Sequence, residues 1–203
     1  MIINGLFPTP VVLFNDGRVP TESEKDSLMG HETDRNEGNA TSIDRYVLQD
    51  EKLKDLKSYI EKCLKSYVEN IYAPDEQFTL SITQSWVNYS KKGEYHHNHF
   101  HTNSLVSGVF YINADKEKDK IFFYKREADL FKFLTNSHNP FNIDSIFIPV
   151  NTGDMVMFPS NLAHSVPAVE TDETRISLAF NTFPVGTIGN HKFLNKLVIS
   201  DVS

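Results

Sequence analysis

Four of the chain's eight histidines fall within six residues, in His96-His97-Asn98-His99-Phe100-His101. Neutral imidazole is a common protein ligand for transition metals. In extended chain, residues i and i+2 share a face, so His99 and His101 could reach one ion together. His97 and His99 stand at the same spacing, which leaves two registers open. A further histidine, His164, follows Gly153-Asp-Met-Val-Met-Phe-Pro-Ser160, where alternating apolar residues lead from a turn through Pro159. It is the candidate third ligand. Three ligands on one face leave three octahedral positions open to other molecules. The plainer alternatives are a solvated polar turn for the cluster and a structural role for His164.

Eleven residues beyond His164 comes Arg175-Ile-Ser177-Leu-Ala-Phe-Asn181. As a strand, it places Arg175, Ser177, Ala179 and Asn181 on one face and Ile176, Leu178 and Phe180 on the other. The first face is small and polar, with a cation at its end, and suits the lining of a pocket. A guanidinium inside a barrel needs an anion. Its planar fork grips a carboxylate at two points, and a serine hydroxyl adds a third. The competing reading pairs Arg175 with a nearby acid, Asp172 or Glu173.

These groups need a rigid frame, and the periodicity supplies one. Leu53, Leu56, Ile60, Cys63 or Leu64, Tyr67 and Ile71 recur at helical steps. Asp50 is positioned to cap that helix and Pro74 to end it. From residue 77 the period becomes two. The expected strands are 78–89, 105–113, 120–124, 146–149, 154–158, 165–169 and 175–183, which is the pattern of an all-β barrel or sandwich. Residues 2–14, broken by Pro8 and Pro10, read as an edge strand. Residues 15–43 read as an irregular loop, and residues 128–134 as a helical turn inside a long loop.

The chain has 203 residues, 39% of them hydrophobic, with fifteen Phe and one Trp. That length suits one domain, expected over 1–203: residues 1–75 form the N-terminal strand, loop and supporting helix, and residues 76–190 the barrel core. A net charge of −7 argues against a nucleic-acid or anionic-membrane surface. The one cysteine, Cys63, allows no internal disulfide. No signal peptide or membrane span is legible, so a cytoplasmic location is expected.

The order His-x-His, His, Arg-x-Ser resembles the iron- and 2-oxoglutarate-binding pattern of the 2-oxoglutarate/Fe(II) oxygenases, most closely a group from bacteria and phages. The resemblance touches Leu6-Phe-Pro-Thr-Pro-Val11, Trp86-Val-Asn88, and His99 through Tyr111. It continues through Gly153 to Ser160, His164, and Arg175 to Asn181. It implies a mainly β, double-stranded β-helix fold, a jelly roll or cupin-like barrel with a supporting N-terminal helix. It makes His99 and His164 ligands of Fe(II), and Arg175 with Ser177 the anchor of the 2-oxoglutarate side-chain carboxylate. Tyr89, Asn88 and Tyr111 become candidate lining of the cosubstrate pocket. His101 stands where most relatives carry Asp or Glu, so the second ligand stays open between His101 and another group. The implied activity is a dioxygenase, a hydroxylase by type, that consumes O2 and 2-oxoglutarate to oxidise a small-molecule or peptidyl substrate, as a monomer or homodimer. Two rivals use the same residues. A cupin-type metalloprotein matches Gly93 to His101 and Gly153 to His164, but lacks the Glu that its motif needs and has no use for Arg175. A non-catalytic structural or binding barrel would hold a closed metal site or none.

Overall fold

Period-two alternation of β-branched and aromatic residues builds two antiparallel sheets. The computed structural model describes residues 1–74, 78–125 and 130–200. In chain order the strands are β1 (Val12–Phe14), β2 (Thr33–Arg35), β3 (Ala40–Ser42), β4 (Phe78–Ser90), β5 (His96–His99), β6 (Val106–Asn113) and β7 (Lys120–Tyr124). They continue with β8 (Ser145–Pro149), β9 (Met155–Pro159), β10 (His164–Val166), β11 (Arg175–Ile188) and β12 (Leu197–Ile199). The larger sheet has the order β1-β9-β6-β11-β4-β3-β2, with β12 also paired to β11. The smaller has the order β5-β10-β7-β8. The chain passes repeatedly between the sheets, which makes a double-stranded β-helix.

The larger sheet is covered on both faces. On its outer face lies α2 (Lys54–Tyr67), whose Leu56, Ile60, Cys63, Leu64 and Tyr67 are buried with Phe110, Leu178 and Phe180 in one apolar cluster. Burial of that face, more than helix propensity, is what holds a helix of this length. Ile71 is 37% exposed instead of joining the face. The cause is a π-helical turn over Val68–Tyr72, which shifts the periodicity after Tyr67. The inner face meets the smaller sheet through a second cluster, with Tyr111, Ile121, Phe123, Val156 and Phe158.

Some expectations are corrected. Residues 15–43 are largely ordered. Thr21 and Glu24 form a capping box that starts α1 (Glu22–Met29), and β2 and β3 form a hairpin onto the edge of the larger sheet. The N-terminal strand shrinks to Val12–Phe14, because Pro8 and Pro10 have no N–H to give to β9. β11 runs past Pro184 to Ile188, five residues beyond its expected end. Pro184 is tolerated because β6 pairs with β11 only as far as Asn181, so that edge is open there. Of the expected helical turn, Leu130 and Phe131 form a bend, residues 132–134 are irregular, and Ala128 and Asp129 lie outside the described residues. Asp50 caps the 3-10 turn Glu51–Leu53 that leads into α2.

Gly108 on β6 leaves room for the ring of Phe180, its partner across the strand pair with β11. A Cβ there would lie 2.2 Å from Phe180 Cζ. Overpacking of this kind costs about 1–3 kcal/mol. Gly108→Ala is therefore expected to lower the chemical-denaturation free energy by about that much, and Phe180→Leu in the same chain to recover part of it.

Candidate metal centre

The centre is built where β5 and β10 pair at one end of the smaller sheet. His99, the last residue of β5, is the register partner of His164, the first of β10. His101 lies two residues past the strand, and its N–H donates to the Ser160 carbonyl at 2.8 Å. The Ser160 hydroxyl in turn lies 2.7 Å from that of Ser104 and 2.8 Å from that of Ser107, and this buried chain fixes the turn carrying His101. One ring nitrogen from each of His99, His101 and His164 falls within 4.8 Å of the others. The rings of His99 and His164 are 4.3 Å apart, centre to centre.

Two of the three rings are oriented by backbone. His99 Nδ1 lies 2.8 Å from the carbonyl of His97, and His164 Nδ1 lies 2.9 Å from the carbonyl of Leu162. A carbonyl only accepts, so each Nδ1 carries the proton and each Nε2 keeps its lone pair for a metal. Burial holds the imidazoles neutral. It is the largest cause lowering the proton affinity of His99, of His164 and of His101, whose pKa falls to about 4. Neutral, tautomer-fixed rings are the state that ligates.

Sequence reasoning missed His96. The pairing places His99 opposite His164 but His96 opposite Val166, so β5 carries one extra residue there. The bulge turns His96 to the same side as His99, and the two rings stack at 4.4 Å with 14° between planes. Burial lowers the His96 pKa to about 3. No spacing rule reveals a bulge of this kind.

Two chambers flank the histidines. The inner one is lined by Asn88, Tyr111, His164, Arg175 and Ser177, together with Trp86 and the histidines at 96, 99 and 101. The expected alternation on β11 holds, with Ile176, Leu178 and Phe180 on the helix side. Arg175 is 6% exposed. Its Nη1 donates to Asp119 Oδ1 at 3.1 Å and to the Pro167 carbonyl at 3.2 Å, and its Nη2 donates to the same carbonyl at 3.2 Å. The acid is thus Asp119, and neither Asp172 nor Glu173. These bonds use three of five N–H groups and leave Nε and one Nη2 hydrogen, which share an edge of the fork. Asn88 Oδ1 and the Tyr111 hydroxyl are buried and have no hydrogen-bond partner among the described residues. Buried polar atoms of this sort await a ligand or water.

Tyr89 does not line the chamber. Asn88 and Ser90 face inward, so strand alternation turns Tyr89 to the helix side. There its ring packs on the outer cluster and its hydroxyl donates to the Leu28 carbonyl.

The three imidazoles are positioned to bind a metal ion on a double-stranded β-helix. Residues 84–181, just under half of the chain, match the family model described as "Putative 2OG-Fe(II) oxygenase", and this part of the chain is similar to that family. No curated protein matches the chain in sequence. Among solved structures, an oxidoreductase of the 2OG-Fe(II) oxygenase family from Burkholderia pseudomallei superposes with a TM-score of 0.60 at 9% identity, covering 85% of this chain and 83% of that one. HygX from Streptomyces hygroscopicus, solved with nickel and 2-oxoglutarate, gives a TM-score of 0.58 at 14% identity, with coverages of 86% and 82%. The epimerase SnoN from nogalamycin biosynthesis gives 0.62 at 14%, with coverages of 86% and 78%. At such identities the likeness is one of fold.

The depressed histidines set a pH dependence. In the unfolded chain each imidazole takes up its proton near 6.5, whereas folded His101 does so only near 4 and His96 near 3. The unfolded state therefore binds more protons between those values, and stability falls as pH falls from about 6.5. Urea denaturation of the metal-free protein is expected to show this decline, made shallower in a His96→Gln, His101→Gln double variant.

Proposed function

We propose that the protein is an Fe(II)- and 2-oxoglutarate-dependent dioxygenase, a hydroxylase by type, with His99, His101 and His164 as its metal ligands. The carrying observation is the set of three neutral imidazoles beside a chamber that ends in the open edge of a buried arginine. Arg175 would hold the side-chain carboxylate of 2-oxoglutarate through its Nε and Nη2 donors, with the Ser177 hydroxyl beside it. The unpartnered Asn88 amide oxygen and Tyr111 hydroxyl fit a polar ligand between Arg175 and the metal. An iron ion held by the triad would supply the redox chemistry that no side chain here offers, with 2-oxoglutarate losing CO2 to become succinate as O2 oxidises the substrate.

The residues' own tasks are positional. The carbonyls of His97 and Leu162 aim two ligand rings. Asp119 and Pro167 fix the guanidinium plane before a ligand arrives, which limits reorganisation on binding. Val109, Ile121 and Val166 give the chamber its apolar lining, which limits water around the anchor. His101 in place of a carboxylate leaves the metal's charge uncompensated by its protein ligands, which favours an anionic chelating cosubstrate.

Anaerobic titration of the Fe(II)-loaded protein with 2-oxoglutarate tests the assignment through the visible charge-transfer band of the chelate. A saturable band is expected, absent in His164→Ala. Arg175→Ala is expected to retain iron and to lose about 2 kcal/mol of 2-oxoglutarate affinity, roughly thirtyfold, with a charge-assisted bidentate contact. Iron binding without a band would favour a cupin-type site, and no iron binding a structural barrel.

A further inference from the structure

The second chamber opens on the solvent side of the histidines. Asn36, Thr41, Arg45, Gln84, Asn181 and His97 line it, and it shares Trp86 and the histidines at 96, 99 and 101 with the inner chamber. Among the described residues no carboxylate lines it. Its single permanent cation is Arg45, on a protein whose net charge is −7.

Arg45 is held but not neutralised. Its Nη1 donates to Thr41 Oγ1 at 3.2 Å and to the Ser42 carbonyl, and it has no acidic partner among the described residues. Those bonds use both Nη1 hydrogens. Nε and Nη2 keep their donors, and together they present a planar edge suited to an oxyanion. This repeats the arrangement at Arg175, where two donors on the same edge also remain. The carboxamides add to it. Gln84 and Asn181 are register partners across β4 and β11. Asn181 Oδ1 accepts from Ser107 at 2.8 Å, which turns its NH2 group toward the chamber as a donor.

From this we infer that the outer chamber takes the oxidised substrate as an anion, a molecule bearing a carboxylate or phosphate that Arg45 recognises. Its remaining part would lie over the open side of the histidines. The inference rests on the oxygenase reading, because that reading makes this chamber the substrate's. Cationic molecules find no counter-charge here, and a neutral one would leave the Arg45 edge unused. Arg45 is thus a specificity-determining residue.

Trp86, the chain's one tryptophan, lines the chamber and reports on it. The test compares quenching of its fluorescence by iodide and by caesium at constant ionic strength. It uses the full chain with saturating Zn(II), so that all variants carry the same metal charge. Iodide is expected to quench more steeply than caesium despite the acidic protein. The iodide-to-caesium ratio should fall at least threefold in Arg45→Gln and persist in Arg45→Lys. Acetate and inorganic phosphate, added as competitors, should suppress iodide quenching in the wild type, and the more effective of the two identifies the group recognised. Caesium quenching equal to or steeper than iodide, a ratio unchanged in Arg45→Gln, or no suppression by either oxyanion would overturn the proposal. None of these readings uses 2-oxoglutarate or turnover. A failure here therefore leaves the charge-transfer result standing, and the reverse also holds.

Discussion

The backbone pairing of His99 with His164 is the constraint on which the rest of the centre depends. The two residues are 65 positions apart in the chain, and only the antiparallel alignment of β5 with β10 brings their rings together. A slip of one residue would turn one ring to the opposite face of the smaller sheet and dissolve the site. The alignment is secured from outside. β10 is also held by β7, with His164 opposite Phe123, and the Phe158 ring lies 4.6 Å from the His164 ring. The apolar cluster between the sheets therefore sets the placement of the histidine rings as much as it sets stability.

The larger sheet does the same for the arginine end. β11 runs between β4 and β6, and each neighbour contributes to the inner chamber a residue directly beside Ser177. These are Asn88 from β4 and Tyr111 from β6. Hydroxyl, amide and phenol thus come from three adjacent strands at one level of the sheet, with Arg175 two residues along β11. α2 contributes no group to the site. Its burial against Phe110, Leu178 and Phe180 keeps that face of β11 dry and leaves the polar alternates pointing inward.

Much of this was legible in the sequence because it follows from period and spacing. The alternation around Arg175 gave the two faces of β11, and His-x-His with a later His after an apolar run gave the candidate ligands, with the register between His97/His99 and His99/His101 left open. What was illegible has identifiable causes. The bulge that re-aims His96 depends on β10 being one residue short against β5, a property of the pair and not of either segment. The Asp119 contact to Arg175 joins residues 56 apart through folding alone. Tyr89 falls outside the chamber because strand parity turns it to the face opposite its neighbour Asn88. The helix after Pro20 was announced by Thr21-x-x-Glu24, a capping signature overshadowed by the glycines and acids around it.

The carbonyls that hold the His99 and His164 rings belong to the main chain at positions 97 and 162, so the aim of those rings is a property of the backbone path. Ring orientation is settled as the chain folds, before any ion arrives. One ion could replace another at this centre without a ring turning, and the preference among metals would then rest on ligand chemistry and supply instead of on the shape of the protein.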